Sequence, residues 1–366
     1  MKAIAALTAH AERLRRLQSV LVKIGVFLFS ITIFVVALLL MKEGAKPMAP
    51  LIRDKFSVNS PASAIGFGWL SASLALSGSP VAATSLTFLE AKVLNPIETY
   101  SMIAGSRLGA AFIVLLIGFV YTLRGKKREI SLGVGLLSLL VTQTMYLAVL
   151  PLGYSLLLNG WLQNLEIQAS QEIVSPFEMV FDPIMGWVKS LMPASWIWLL
   201  FPLGFVFMLT SLSLVDKALP DFHLAETKVG RVNRLLYRPI VGFALGAAIT
   251  SLTMSVSVSL SLLVPLSVRG YIRRENVIPY ILGANITTFI DTLIAAALLA
   301  NPAAVTVVLV QMISVSIVSL VLLLTSFRLY ERTLERLASF IGARRSRLAI
   351  YILAILGIPF ALIIFA

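Results

Sequence analysis

Two charged residues, Arg107 and Asp291, each stand inside a long apolar run. A charge at the centre of a membrane helix costs roughly 2.5–3.5 kcal/mol on insertion scales, so each needs a partner or a task. A guanidinium fork suits two-pronged hydrogen bonding to a small oxyanion such as phosphate or sulfate. It can also stand in for a bound cation. A buried carboxylate suits a sodium ligand or a proton carrier. Two structural readings compete with these: a mutual salt bridge that only fixes the fold, or snorkelling of Arg107 to the surface.

Hydroxyl groups gather around these charges in two stretches. Pro61 to Ile113 contains LSGSPVAAT and then AGSRLGAAF; Pro239 to Asp291 contains TMSVSVSL and then LGANITTFID. A shift of 178 positions places Pro61 on Pro239, Gly68 on Gly246, Ser73 on Ser251, Ser77 on Ser255, Ser79 on Ser257, Ile103 on Ile281 and Gly105 on Gly283. Arg107 then falls on Asn285, and Asp291 on Ile113. Within each cluster Ser77, Ser79, Ser255, Ser257 and Ser259 are spaced two apart, which on a helix spreads them over different faces. In an unwound hairpin tip their hydroxyls can converge on one ion. Taken singly, such serines also serve close helix contacts in membranes. Asn285, Thr287 and Thr288 follow Gly283. A half-helix starting there would aim backbone N–H groups at an anion; an ordinary N-cap would use the same residues. The expected anion contacts are therefore Ser77, Ser79, Arg107, Ser255, Ser257, Asn285, Thr287 and Thr288. Ser259 and Asp291 are the expected cation contacts.

The chain that must position them has 366 residues, of which 58% are hydrophobic and 13% charged. Soluble domains are nearer a quarter charged, so this composition and its long apolar runs predict an all-α polytopic membrane protein. The net charge of +13 sits in short segments between apolar runs. That is the positive-inside pattern, with some contact to anionic lipid, rather than a nucleic-acid footprint. There is no cysteine, and His10 and His223 both lie in polar linkers, which leaves no thiolate or histidine metal site. Nothing resembles a nucleophile–base pair, a P-loop or a nucleotide fingerprint, so neither an enzyme nor an organic cofactor is expected.

Charge and parity give the topology. Residues 1–23 are basic and place the N-terminus in the cytoplasm; Ile24 to Met41 crosses outward as a retained helix. RGKKRE at 124–129 is densely basic and belongs inside. If both 62–89 and 100–123 crossed, the chain would end outside, so one of them does not. The stretch 62–89, rich in Gly, Ser and Thr with Pro80 inside, is expected to be a re-entrant hairpin from the outer side. Ile130 to Leu158 goes outward, and 159–191 is an outer loop with Glu166, Glu172, Glu178 and Asp182. Met192 to Val215 returns to the basic linker 216–238. The stretch 239–267 exits at Arg269, Arg273 and Arg274, so it is a second hairpin, now from the cytoplasm. Val277 to Ala300 and Ala303 to Phe327 cross next, 328–347 is a basic cytoplasmic linker, and 348–366 carries the last helix. Residues 24–158 and 192–327 thus form two repeats of inverted topology in a plasma-membrane protein. Glu90, Lys92, Glu98 and Glu275 are expected to be solvated loop charges.

With these motifs in place, the chain resembles the sodium–phosphate cotransporter family (the type II, or PNaS, group). In that family each repeat carries Gln-Ser-Ser-Ser and later Gly-Ala-Asn-Ile-Gly-Thr-Thr. Here Gly283-Ala284-Asn285 and LLLMKEGAKPM at 38–48 carry the likeness, which covers most of 24–325. The motif glutamine falls on Leu76 and Met254, and the middle serine on Gly78 and Val256. Arg107 replaces an asparagine, Ala110 and Ala111 replace two threonines, and Thr287 and Phe289 replace a glycine and a threonine. The resemblance implies sodium-coupled symport of inorganic phosphate, with these motifs lining the site. Transport of another small anion, or a transport-inactive membrane scaffold or regulatory homologue, is the alternative.

Overall fold

The computed structural model describes residues 2–160, 183–218 apart from 184 and 189, 239–268, 272, 276–299 and 301–366. The expected acidic stretch Glu166 to Asp182, most of the basic linker 216–238, and Arg269, Arg273, Arg274 and Glu275 lie outside the described residues. Among the described residues every regular element is helical. Among the described residues seven stretches are long and apolar enough to cross a membrane: Leu21–Met48, Pro96–Leu123, Arg128–Leu158, Ala194–Val215, Val277–Leu298, Pro302–Thr325 and Arg345–Phe365. They coincide with the seven expected crossings. The chain is an all-α, multi-pass membrane protein.

α1 (Lys2–Ala45) is longer than the expected Ile24 to Met41 and runs on into the turns at Lys46–Met48 and Leu51–Lys55. Ser60 then caps α2 (Pro61–Ala75) in a reciprocal box with Ser63, and Pro61 sits in the first turn where a missing N–H costs nothing. α3 (Ser79–Glu90) follows a three-residue break. α4 (Pro96–Ala110) opens on the same device, a box between Asn95 and Glu98 with Pro96 in the first turn. α5 (Phe112–Leu123) continues it after a kink at Ala111, and α6 (Arg128–Leu158) follows as a helix of 31 residues.

The second half has α7 (Leu200–Ala218), then α8 (Pro239–Thr253), a break, and the short α9 (Val256–Ser261) and α10 (Leu263–Val268). α11 (Val277–Thr287) and α12 (Ile290–Leu298) form one kinked span. α13 (Pro302–Thr325), the amphipathic α14 (Phe327–Ala343) and α15 (Arg345–Phe365) complete the chain.

Close approach of backbones explains the glycines. A Cβ at Gly68 would collide with the Met102 carbonyl oxygen, and one at Gly105 with that of Ile65, so α2 and α4 cross in direct backbone contact. A Cβ at Gly246 would meet the Tyr280 carbonyl, and one at Gly283 that of Phe243, so α8 and α11 cross in the same way. Each contact in one pair lies 178 positions from its counterpart in the other. Such crossings give van der Waals contact that larger side chains would prevent. α2 packs on its outer side against α15, and α1 packs along α7, where Ser211 Oγ donates to the Ser30 carbonyl at 2.7 Å.

The breaks recur too. Leu76 and Met254, 178 apart, both adopt left-handed backbone, with φ of 53° and 50°. That conformation is uncommon for a non-glycine residue and is held only where the surroundings require it.

Candidate functional site

The two breaks line one cavity of roughly 130 Å³. Its polar wall is Ser77, Ser79, Thr253, Ser255 and Asp291. The rest of its lining is mainly apolar and includes Phe27, Ile31 and Phe34 of α1 and Leu212 and Val215 of α7. A water needs about 10–15 Å³ of such space, so the cavity has room for several waters or a small ion. Ser77 lies in the first break, where its amide donates to the Ala72 carbonyl at 3.2 Å. Ser79 starts α3. Ser255 caps α9, its hydroxyl accepting from the Val258 amide at 3.3 Å.

Asp291 is 5% exposed, in the first turn of α12. Its Oδ1 accepts from the Thr292 hydroxyl at 2.9 Å and from the Thr292 amide. Its Oδ2 has no close hydrogen-bond partner among the described residues, and Ser79 stands beside the carboxylate. A buried carboxylate oxygen of this kind is a ready acceptor for a cation or a proton.

Arg107 is 2% exposed, which excludes snorkelling. Nη1 donates to Thr288 Oγ1 at 3.0 Å and Nη2 to Thr292 Oγ1 at 2.8 Å. The guanidinium carbon lies 4.6 Å from the centre of the Phe289 ring. Nε has no partner. Arg107 and Asp291 therefore do not form a direct salt bridge; Thr292 lies between them, accepting from one and donating to the other. Gly78 makes room for this head group, since a Cβ there would lie 3.3 Å from Nη1 and 3.0 Å from the Ala110 Cβ.

Several expected placements change. Asn285 and Thr287 close the half-helix α11 rather than opening one, and Thr288 sits in the kink. Gly283 is a contact glycine inside α11, not a helix breaker, so the expected N-terminus lies further on, at Ile290. Arg107 likewise ends α4, and the kink separates it from Ile113 as the other kink separates Asn285 from Asp291. Thr287 Oγ1 donates to the Ala247 carbonyl at 2.9 Å, a helix contact. Ser259 is not on the cavity: it lies between Thr250 at 2.7 Å and Tyr280 at 2.8 Å. Ser257 Oγ and Asn285 Nδ2 are buried without partners. Glu98 is not a solvated charge. It is 3% exposed and takes two hydrogen bonds of 2.8 Å from Arg53 while closing the cap of α4. Glu90 pairs with Lys42 at 3.1 Å and accepts from Asn301 at 2.6 Å.

Sequence reasoning missed Thr292, Gln311 and Tyr146. Gln311 is fully buried on α13, and the buried Tyr146 hydroxyl lies near it and near Arg107. A lone amide in the run VVLVQMISVSIV was the available signal.

Fold and site thus define a multi-pass helical membrane protein with a buried pair of opposite charges beside a small cavity. A sodium-dependent phosphate transport protein 2A from Oryctolagus cuniculus is similar, 30% identical over 118 residues. The match covers 31% of this chain and 18% of the relative, and it supports a distant relation. No protein-family model matches the chain, and no solved structure does.

Proposed function

We propose that this chain is a secondary active transporter of the plasma membrane that carries a small oxyanion, inorganic phosphate first among the candidates, together with sodium. One observation carries the reading: the two breaks, 178 positions apart, and the charge Asp291 line a single cavity. Polar backbone at membrane depth is tolerated where it lines such a site. The distant likeness to a sodium-dependent phosphate transport protein supports the substrate and the coupling ion.

The same reading makes 24–158 and 192–327 inverted repeats, with N-terminus and the 328–347 linker cytoplasmic. α2 and α3 have 15 and 12 residues, about 22 and 18 Å at 1.5 Å each, too short to cross a hydrocarbon core of about 30 Å. α8, at 15 residues, is equally short. Re-entrant hairpins fit these lengths, and the recurrent glycine contacts and left-handed bends fit a duplicated element. Within the site, sodium would take Asp291 Oδ2 with the hydroxyls of Ser77, Ser79 and Ser255. The anion would take donors left free by the fold, Arg107 Nε and Asn285 Nδ2 among them.

The test is radiolabelled phosphate uptake by purified protein in vesicles, with an inward sodium gradient and with choline in its place. The reading expects uptake above protein-free vesicles that falls at least tenfold without sodium and with Asp291→Asn. No uptake of phosphate in either salt would reject it.

A further inference from the structure

The position of the Arg107 head group says more than that it is charged. Under the 178 shift Arg107 corresponds to Asn285, and Thr288 to Ala110. The second half thus keeps a hydroxyl that the first half lacks, and Arg107 of the first half reaches across to that hydroxyl. Its two terminal nitrogens contact Thr288 Oγ1 and Thr292 Oγ1, and Thr292 passes the contact to Asp291. Two neutral hydroxyls and one carboxylate are oxygen ligands of the kind a hard monovalent cation takes. Here their lone pairs face a guanidinium. The aromatic face of Phe289 adds a further contact suited to a cation.

Space has been made for this arrangement. Gly78 and Ala110 are small where Nη1 lies, and a Cβ at Gly78 would already press on it. A buried guanidinium without a matching arrangement would cost several kcal/mol. A shallower, hydrated position would avoid that cost, yet Arg107 is among the largest fully buried side chains of the described residues.

We propose that the Arg107 guanidinium is a tethered cation. It permanently fills a place among Thr288, Thr292 and Asp291 that would otherwise take a free sodium ion, so the chain carries its anion with one fewer coupling ion. This deepens the transport reading and rests on it for the word "coupling". The occupied place itself does not depend on it. Asp291 also lines the cavity, and its Oδ2 keeps acceptor capacity for an ion that comes and goes.

The experiment uses sodium alone, so its outcome is separate from whether phosphate is the substrate. Full-length protein is unfolded by heat at constant ionic strength, in sodium chloride and in choline chloride, as wild type and as Arg107→Asn. Asparagine is the residue at the matching position 285 and offers a carbonyl oxygen in place of a charge. The proposal expects the sodium-specific rise in Tm to be larger in Arg107→Asn by about 3 °C or more, the scale of one added bound ion. An equal or smaller rise in the variant overturns it. Should Arg107→Asn yield folded protein in neither salt, Arg107→Ala is purified with and without about 10 mM methylguanidinium. Recovery of folded protein by that ion supports the proposal, and no recovery overturns it. Absence of phosphate uptake by wild type would reject the transport reading and leave these sodium results standing.

Discussion

Thr292 joins the two buried charges, accepting from Arg107 Nη2 and donating to Asp291 Oδ1. Thr292→Val keeps the shape and removes both bonds. It leaves buried polar groups unsatisfied and should cost about 1–3 kcal/mol of stability, read by thermal or denaturant unfolding. Thr292→Ser keeps the hydroxyl and should recover most of the loss; equal losses in the two would mean that the hydroxyl is not what joins the charges. Removing one charge strands the other, so Arg107→Met or Asp291→Leu alone should cost about 3–5 kcal/mol, and the double change should recover much of it. Phosphate binding separates structure from function in that cycle. The double variant should be folded and bind no phosphate. A folded double variant that binds phosphate normally would remove Arg107 and Asp291 from the site.

The crossings of α2 on α4 and of α8 on α11 depend on Gly68, Gly105, Gly246 and Gly283 meeting carbonyl groups. Gly68→Ala or Gly246→Ala must push two backbones apart and should lower stability by about 1–3 kcal/mol, measured as folded yield and Tm. Alanine at Gly357, where a Cβ has open space, is the matched control and should be near neutral. The seven helices long and apolar enough to cross were legible in the sequence because their signal, apolar length, is local. So were the two breaks, marked by Ser77-Gly78-Ser79-Pro80 and by Ser255 to Ser259. Gly283 was misread because glycine breaks helices in some settings and permits contact in others, and only the carbonyl of Phe243 decides between them. Glu98 was misread because its partner, Arg53, lies 45 positions away on another element. The Arg107–Thr292 contact spans 185 positions and has no sequence trace at all.

At the scale of the whole molecule the account needs opposite sidedness. Asn159 ends α6 and Lys126 precedes it, both exposed, in a chain without cysteine. Single cysteines there should label with a membrane-impermeant reagent from opposite sides of intact cells or vesicles, Asn159→Cys from outside. Labelling of both from one side would end the inverted-repeat account. The central claim is that the two breaks form one site reached alternately from the two sides. Ser77→Cys and Ser255→Cys, both half-buried on the cavity, test it most directly. The account predicts that a small polar thiol reagent modifies Ser77→Cys from outside and Ser255→Cys from inside, and that phosphate with sodium slows each reaction severalfold. Modification unaffected by phosphate and sodium at both positions, or no modification from either side, would contradict it.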